Sequence, residues 1–475
     1  MEESQKISQA VEIDNVLKIQ RIHALSLRNS DYRQRLAVLD RFEKVFRASY
    51  GDMHRAASAD FSKSEAEVDF TEIFTVLTEL KHIRKNLKSW MKSRKAASAI
   101  TMFGTSAKTI FEPRGVCLVV SPWNYPFNLT FCPMILAIAA GNTVIIKPSE
   151  LTPNMSQVIC DIVAKAFVKE EVAAFQGDAK TASYLTSLPV DHIFFTGSPA
   201  VGRRVMAAAA NNLTSVTLEL GGKSPVIIDR TANLKKAAGD IVFGKFMNNG
   251  QTCIAPDYIY VEEAVKETFV EEIKKSIAQQ YGPFDLLATN SDYCRIVNDL
   301  HFGRLRRLLD DALEQGGTVI VGGKSDSETK LIEPTVIEGM SESSMIMQEE
   351  IFGPILPLIA FTDIDQILNE INSKPKPLAL YVFSNEQVTQ EKVIQRTSAG
   401  DSCINQIAIH FMHPNLPFGG VNNSGLGKTG GRWGFEAFSH QRGVLEDKLG
   451  AAALLRPPYT PRIHGMIKNA IKFFT

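Results

Sequence analysis

From about residue 115 onward the chain alternates short, continuously apolar runs with helix-length segments, and this alternation constrains its fold more than any other feature. GVCLVV (115–120), TVIIK (143–147), HIFFT (192–196) and PVII (225–228) place apolar side chains at consecutive positions. A strand wetted on one side alternates apolar and polar residues, so continuous runs belong to strands covered on both faces. The segments around 154–168 and 200–211 have the length of crossover helices. Strand, helix and strand in repetition predict a parallel sheet. After a bridge near 230–250 the pattern resumes with YIYV (258–261), then a helix carrying Val265, Phe269, Ile273 and Ile277 on one face. TVIV (318–321) and ALYVFS (379–384) follow. Two parallel α/β units joined near residue 220 are therefore expected. The first hundred residues read as helices, because Leu36, Leu39, Phe42 and Phe46, then Ile73, Leu77, Leu80, Ile83 and Leu87, recur every three or four positions.

Composition narrows the function. At roughly 150 residues per domain, 475 residues suggest about three units. With 44% hydrophobic and 22% charged residues the chain can bury a large core, which excludes a disordered scaffold. Lys+Arg and Asp+Glu both number 52, so the basic surplus of a nucleic-acid binder is missing and a neutral small-molecule partner is expected. Six cysteines, at 117, 132, 160, 253, 294 and 403, form no CxxC pair. That excludes a zinc cluster or disulfide framework and fits reduced thiols in the cytoplasm; no metal site is expected. The opening MEESQKISQAVEID is no secretory signal, and the longest apolar run, 131–141, falls short of the ~18 residues a membrane span needs.

Five segments carry residues suited to chemistry. In FMNNGQTCIAPDYIYV (246–261), Cys253 follows a polar, glycine-containing turn and precedes a strand, where substrate can reach it. A single cysteine is more often a small buried hydrophobe than a nucleophile, so its neighbours matter. VTLELGGKSPVII (216–228) puts Glu219 at a strand end before Gly221 and Gly222; a turn anchor is the plain alternative. VVSPWNYPFNL (119–129) sets Asn124 after a strand, as a turn cap or as an amide donor to a developing oxyanion. IIKPSE (145–150) ends a strand with Lys147 and Glu150, either solvated charges or a grip on ribose hydroxyls. FFTGSPAVG (194–202) runs from strand through Gly197 and Ser198 into a helix, and such a helix start suits a pyrophosphate although the GxGxxG spacing is absent. The glycine-rich PFGGVNNSGLGKTGG (417–431) ends like a P-loop, but Asn422 stands where that motif needs glycine. A tight loop packed on backbone is the expectation there.

In chain order, the PWN, KPSE, FTGS…VG, LELGGKSP and NNGQTC motifs, with EEIFGP (349–354) and PFGG…SG…G (417–427), resemble the aldehyde dehydrogenase superfamily over nearly the whole length. QTCIAPDY after the cysteine, the lack of a long N-terminal extension and the tail LRPPYT (455–460) are most similar to the class 3, fatty-aldehyde branch. The resemblance implies two Rossmann-like parallel-sheet α/β domains with a small oligomerisation or bridging segment. Residues 1–218 would form the cofactor domain, with the bridge near 95–114. Residues 219–416 would form the catalytic domain, and 417–475 the glycine-rich return and tail. It implies Cys253 as nucleophile, Glu219 as general base, and Asn124 with the Cys253 backbone N–H as oxyanion hole. Trp123, Lys147, Glu150, Gly197, Ser198, Gly202, Leu220, Gly221, Glu350 and Phe352 would bind the cofactor. Thiol attack on the aldehyde would give a thiohemiacetal, hydride loss a thioester, and water activated by Glu219 the acid.

NAD is the expected cofactor because Glu150 would repel a 2′-phosphate, with NADP second because Lys147 offsets that repulsion. The expected substrates are medium- or long-chain aliphatic, or aromatic, aldehydes, with Tyr125 and Met247 as tunnel walls. A CoA-acylating or semialdehyde-specific enzyme is the alternative, and Glu219 argues against CoA acylation. A non-catalytic binding protein that keeps the fold is the third reading. A homodimer is expected by resemblance. In the tail RIHGMIKNAIKFFT (462–475), Ile463, Ile467 and Ile471 share a helical stripe too short and too charged to span a membrane. Packing on its own protein or a dimer mate is the leading expectation, and interfacial membrane contact the lesser one.

Overall fold

The computed structural model describes residues 2–97, 102, 104–450 and 456–474. Two large sheets organise the chain. The first has six strands in the order Gly425–Leu426, Ser215–Leu220, His192–Gly197, Val116–Val120, Thr143–Lys147 and Val172–Ala174. All neighbours run parallel except Gly425–Leu426, which returns antiparallel beside Ser215–Leu220. The continuous apolar runs are explained by cover on both faces. Cys117, Val119, Val144 and Ile146 face one core, which the N-terminal helices and helix Pro126–Ala140 complete. Val116, Leu118, Val120 and Ile145 face the other, closed by Ile13, Val16 and Leu17 of helix Glu2–Leu27. Fully burying each such side chain contributes about 1.5–3 kcal/mol.

The second sheet has seven strands: Thr318–Val321, Thr335–Glu338, Ile355–Phe361, Tyr258–Glu262, Pro225–Ile228, Ala379–Phe383 and Asp401–Ile404. Only Thr318–Val321 is antiparallel to its neighbour. The chain crosses from one sheet to the other between Leu220 and Pro225, through Gly221 and Gly222. A third sheet pairs Arg94–Lys95 with Thr105–Pro113, and Thr105–Pro113 with Ser439–Asp447 in a nine-residue antiparallel register. Its outer strand is largely exposed.

Parallel strands end together, so the carboxyl ends of the first sheet gather Ser121–Asn124, Lys147–Glu150 and Gly197–Ser198 on one side. Ligands of open α/β sheets bind outside those ends. The tail forms helix Pro461–Phe474, and among the described residues no helix is long and apolar enough to cross a membrane.

Candidate active site

Helix Leu234–Phe246 ends in a tight turn, Met247–Gly250, that delivers the chain to Cys253. Asn248, Asn249 and Gly250 are all left-handed, with φ of +52°, +55° and +72°. Asparagine tolerates this region but does not prefer it, so the turn must be held by its surroundings. The Asn248 backbone N–H donates to Glu67 Oε1 at 2.8 Å, and its side-chain amide donates to the Asn124 carbonyl at 2.9 Å. Asn249 Nδ2 donates to the Cys294 carbonyl at 2.6 Å. Gln251 donates to the Asn248 and Arg295 carbonyls and accepts from the Val297 N–H, each at 3.0–3.1 Å. A Cβ on Gly250 would collide with the Gly353 carbonyl oxygen, so glycine alone lets the two loops meet.

Behind this loop lies a buried charge cluster from the N-terminal helices. The side chains of Lys63 and Glu72 are fully buried and 3.4 Å apart. Lys63 Nζ also donates to the Asn124 carbonyl at 3.4 Å, and lies 4.4 Å from the Tyr125 ring centre. Glu72 Oε2 accepts from the Phe127 and Asn128 N–H groups at 2.7 and 3.2 Å. Burial pushes the Glu72 and Glu67 carboxyls up, and Lys63 opposes the shift in both. Glu72 sits in a π-turn, Asp69–Ile73, which interrupts the α-helical register ahead of Phe74–Trp90; such bulges are frequent at functional sites. The cluster ties the Asn124 backbone to the loop that carries the thiol.

Cys253 and Glu219 border one cavity of about 930 Å³, counted with its open mouth. Leu129, Pro133, Leu136, Phe194, Phe411 and Phe418 make its wall largely apolar. Glu219 is 5% exposed, and both its oxygens are buried without a hydrogen-bond partner. Burial raises this carboxyl well above its ordinary range; Lys428 opposes the shift and Asp401 adds to it. Burial, then Glu350 and Glu219, pushes the Cys253 thiol up to about 12, while the backbone N–H groups of Cys253 and Ile254 favour the thiolate. Asn124 Nδ2 donates to the Gln251 carbonyl at 3.0 Å, which fixes its amide beside the loop that carries Cys253. Tyr125 hydroxyl bonds Thr252 Oγ1 at 2.7 Å. Tyr125 and Met247, expected as tunnel walls, stand outside the lining of this cavity. Tyr125 is turned into the loop's own support instead.

The remaining expected residues lie at the strand ends of the first sheet and at the crossover between the sheets. Ser198 caps helix Pro199–Ala210, accepting from the Val201 N–H, directly after strand His192–Gly197. Gly202 faces Leu220: a Cβ there would lie 2.7 Å from Leu220 Cδ2, so the glycine lets the helix approach the sheet. Lys147 forms an ion pair with the half-exposed Glu150. Glu350 is seated against Gly221, where a Cβ would strike its carboxyl oxygens. Burial, with Asp257 adding to it, raises the Glu350 carboxyl to about 8, against the hydrogen bond from the Gly222 N–H. Arg304 donates to the Glu350 carbonyl at 3.1 Å and to the Ile351 carbonyl. Phe352, at φ +50°, packs edge-on against Trp123 with ring centres 5.3 Å apart. A helix start for a pyrophosphate, a carboxylate for ribose hydroxyls and the Trp123–Phe352 pair fit a dinucleotide.

The aldehyde dehydrogenase family profile matches residues 4–444. The chain belongs to the aldehyde dehydrogenase family. Its relatives include the 4,4′-diaponeurosporen-aldehyde dehydrogenase of Staphylococcus aureus, 42% identical over 89% of this chain and 91% of that one. Aldehyde dehydrogenase family 3 member A2 of Pongo abelii is 40% identical over 93% of this chain and 91% of its own. Among solved structures, the substrate-bound state of Staphylococcus aureus AldH superposes with a TM-score of 0.92 at 39% identity, covering 98% of this chain and 99% of that one. PnpE in complex with nicotinamide adenine dinucleotide superposes with a TM-score of 0.83 at 25% identity, covering 93% and 90%.

Sequence reasoning missed several parts of this aldehyde dehydrogenase site. Lys63, Glu67 and Glu72 lie some 180 residues or more before the thiol they support, and nothing local marks them. Lys428, inside the GKT triplet, donates to the Gly400 and Gly419 carbonyls and is the cation that acts on Glu219. The glycine-rich segment does pack on backbone, as expected: Gly425 lies opposite Glu219 across the antiparallel pair. The wall of Phe411, Met412, His413 and Pro414 just ahead of that segment also went unread.

Proposed function

We propose that this aldehyde dehydrogenase oxidises medium- or long-chain aliphatic, or aromatic, aldehydes to acids, with Cys253 as nucleophile and Glu219 as base. The observation that carries the reading is the shared cavity: Cys253 and Glu219, whose buried carboxyl has no hydrogen-bond partner, border one largely apolar space. A thiol raised to about 12 needs a base, and a carboxylate whose pKa is raised is a stronger base once ionised. The Cys253 proton passes to Glu219 as the sulfur bonds the carbonyl carbon, and the oxygen becomes an oxyanion. The Asn124 amide and the Cys253 backbone N–H stabilise that charge; losing one such donor costs about 2.7–4 kcal/mol. Ser198, Lys147, Glu150, Glu350 and the Trp123–Phe352 pair would hold a nicotinamide dinucleotide, which when bound would supply the acceptor for the hydride leaving the substrate carbon. Glu219, its proton lost to solvent, then takes a proton from water as that water attacks the thioester. The carbon–sulfur bond breaks, the proton held by Glu219 passes to the sulfur, and the acid leaves with the thiol restored.

NAD is the preferred dinucleotide and NADP the second, because Glu150 disfavours a 2′-phosphate while Lys147 pairs with it. The NAD complex of PnpE supports a nicotinamide dinucleotide as the cofactor. The open outer strand Ser439–Asp447 supports a homodimer, and six unpaired cysteines support a reducing, cytoplasmic setting. The tail helix carries Arg462, Lys468 and Lys472 and no acidic residue. We place it against protein rather than membrane, and equal liposome flotation with and without residues 462–475 is the expected result. The decisive test is absorbance at 340 nm with NAD or NADP and an aldehyde series, with Cys253→Ala as control. Cysteine-dependent reduction is expected; silence with every aldehyde and both cofactors would overturn the reading.

A further inference from the structure

The wall of the Cys253 cavity carries a second carboxyl that the reaction does not use. Glu79 lies on helix Phe74–Trp90, whose Thr75 and Thr78 face the same cavity. One Glu79 oxygen, Oε1, accepts from the Gly431 N–H at 3.0 Å. Among the described residues, Oε2 has no hydrogen-bond or ion-pair partner, and it is not sealed from solvent either. A half-buried acid with one oxygen tied down therefore presents the other to the substrate space. Asn128 and Thr429 border the same cavity. This polar group contrasts with Leu129, Pro133, Leu136, Phe411 and Phe418 on the rest of the wall. An apolar pocket with a few convergent polar groups fixes the orientation of a ligand that is apolar over most of its surface.

We propose that Glu79 is a specificity-determining residue that accepts a hydrogen bond from a hydroxyl on the body of the aldehyde, alcoholic or phenolic, at a distance from the carbonyl. The proposal rests on the reading of Cys253 as the nucleophile of this cavity. A neutral hydroxyl suits the wall better than an ammonium group, because an ammonium stripped of water against this largely apolar lining carries a desolvation cost that a hydroxyl does not. A hydroxyl can also serve both protonation states of the acid, donating to the carboxylate or accepting from the carboxylic acid. Burial raises the Glu79 carboxyl to about 7, against the Gly431 N–H. The titratable groups around it are His82 on its own helix, Cys132 on helix Pro126–Ala140, His413 on the facing loop, and Glu219, Cys253 and Lys428 at the reaction end. Hydroxyl recognition is therefore expected to strengthen as pH rises through 7, where the acceptor becomes charged.

The test measures kcat/KM for hydroxylated aldehydes, their deoxy counterparts and ω-ammonium aldehydes of matched length, in the wild type, Glu79→Gln and Glu79→Leu. A hydrogen bond to a charged acceptor corresponds to a preference of about tenfold or more for the hydroxylated compound. This preference is expected in the wild type, rising between pH 6 and 8 and carried mainly by KM. Glu79→Leu is expected to abolish it, and Glu79→Gln to keep a smaller preference that no longer follows pH. Turnover of the deoxy aldehydes by each variant reports an intact site, so loss of folding cannot mimic loss of recognition. Equal hydroxyl-to-deoxy ratios in the wild type and Glu79→Leu, with deoxy turnover intact, would overturn this proposal alone. A larger gain for the ammonium compounds would overturn it in favour of a cation site. Absence of turnover with every aldehyde would remove the nucleophile reading together with it.

Discussion

Replacing Glu219 with glutamine should stabilise the protein while slowing it, and the size of the stabilisation should depend on pH. The carboxyl is 5% exposed, neither oxygen has a hydrogen-bond partner, and burial holds its pKa well above 4.5. The folded state therefore keeps a proton that the unfolded chain has already lost. Stability contributed by the neutral acid is fully present below about 4.5 and falls as pH rises toward the folded value. Each pH unit corresponds to at most 1.36 kcal/mol, so three units, from 4.5 to 7.5, set a ceiling of about 4 kcal/mol. Glutamine does not titrate and has nearly the same shape. Its advantage should be near zero at pH 5 and grow to as much as about 4 kcal/mol at pH 7.5. Urea unfolding followed by tryptophan fluorescence at several pH values measures this difference directly. Parallel wild-type and variant curves across pH 5–8 would refute it, because the carboxyl would then titrate as an exposed one. In the same variant both the pre-steady-state burst and steady turnover should fall about 10²- to 10⁴-fold, the usual scale of a lost general base. A burst that persists while turnover falls would mean that Glu219 activates only the hydrolytic water.

In the cofactor-free protein, alkylation of Cys253 by iodoacetamide should rise about tenfold per pH unit from 7 to 10 with no plateau near the ordinary thiol value, since its thiol is raised to about 12. A plateau near pH 8.5 would contradict the buried-thiol geometry. Lys63→Met leaves Glu72 buried with only backbone donors. It should cost about 3–5 kcal/mol, much of it recovered in Lys63→Met/Glu72→Gln; additive effects in the urea cycle would show that the pair is uncoupled. Gly250→Ala must push a methyl group into the Gly353 carbonyl at positive φ. It should lower kcat more than tenfold with every aldehyde, and unchanged kcat would mean that the two loops separate freely.

The fold was legible where burial leaves a simple mark. The runs at 116–120, 143–147, 192–197, 225–228, 258–262, 318–321 and 379–383 are strands, and the spaced leucines and phenylalanines of 36–46 and 73–87 lie in helices. Strand Ile355–Phe361 escaped because Pro357 interrupts its reading, yet it pairs on both sides. Thr105–Pro113 and Ser439–Asp447 escaped because a half-exposed ribbon carries no apolar run. At the candidate site, the short motifs singled out Cys253, Glu219 and Asn124, since each sits near the end of a strand or after a glycine turn. The cavity wall was not legible: Glu79, Leu136 and Phe411 come from three distant segments, and only the folded chain brings them together. Tyr125, expected as a tunnel wall, stands outside the cavity lining and turns its hydroxyl to Thr252.

The left-handed turn before Cys253 has a bearing on how the protein ages. Asn249 is followed by Gly250, the dipeptide most prone to deamidation, in which the glycine nitrogen attacks the asparagine side chain and ammonia is lost. In the folded protein that side chain is fully buried, its Nδ2 donating to the Cys294 carbonyl at 2.6 Å and its Oδ1 accepting from the Tyr293 hydroxyl at 3.2 Å. Both ends are fixed and the attack trajectory is closed, so the native protein should keep this asparagine for as long as it stays folded. Each excursion to the unfolded state frees the dipeptide to close its succinimide ring, and the aspartate that results places a charge where the fold has no room for one. Thermal inactivation should then become irreversible through chemistry at residue 249, adjacent to the machinery it disables, with a one-dalton mass increase as its record.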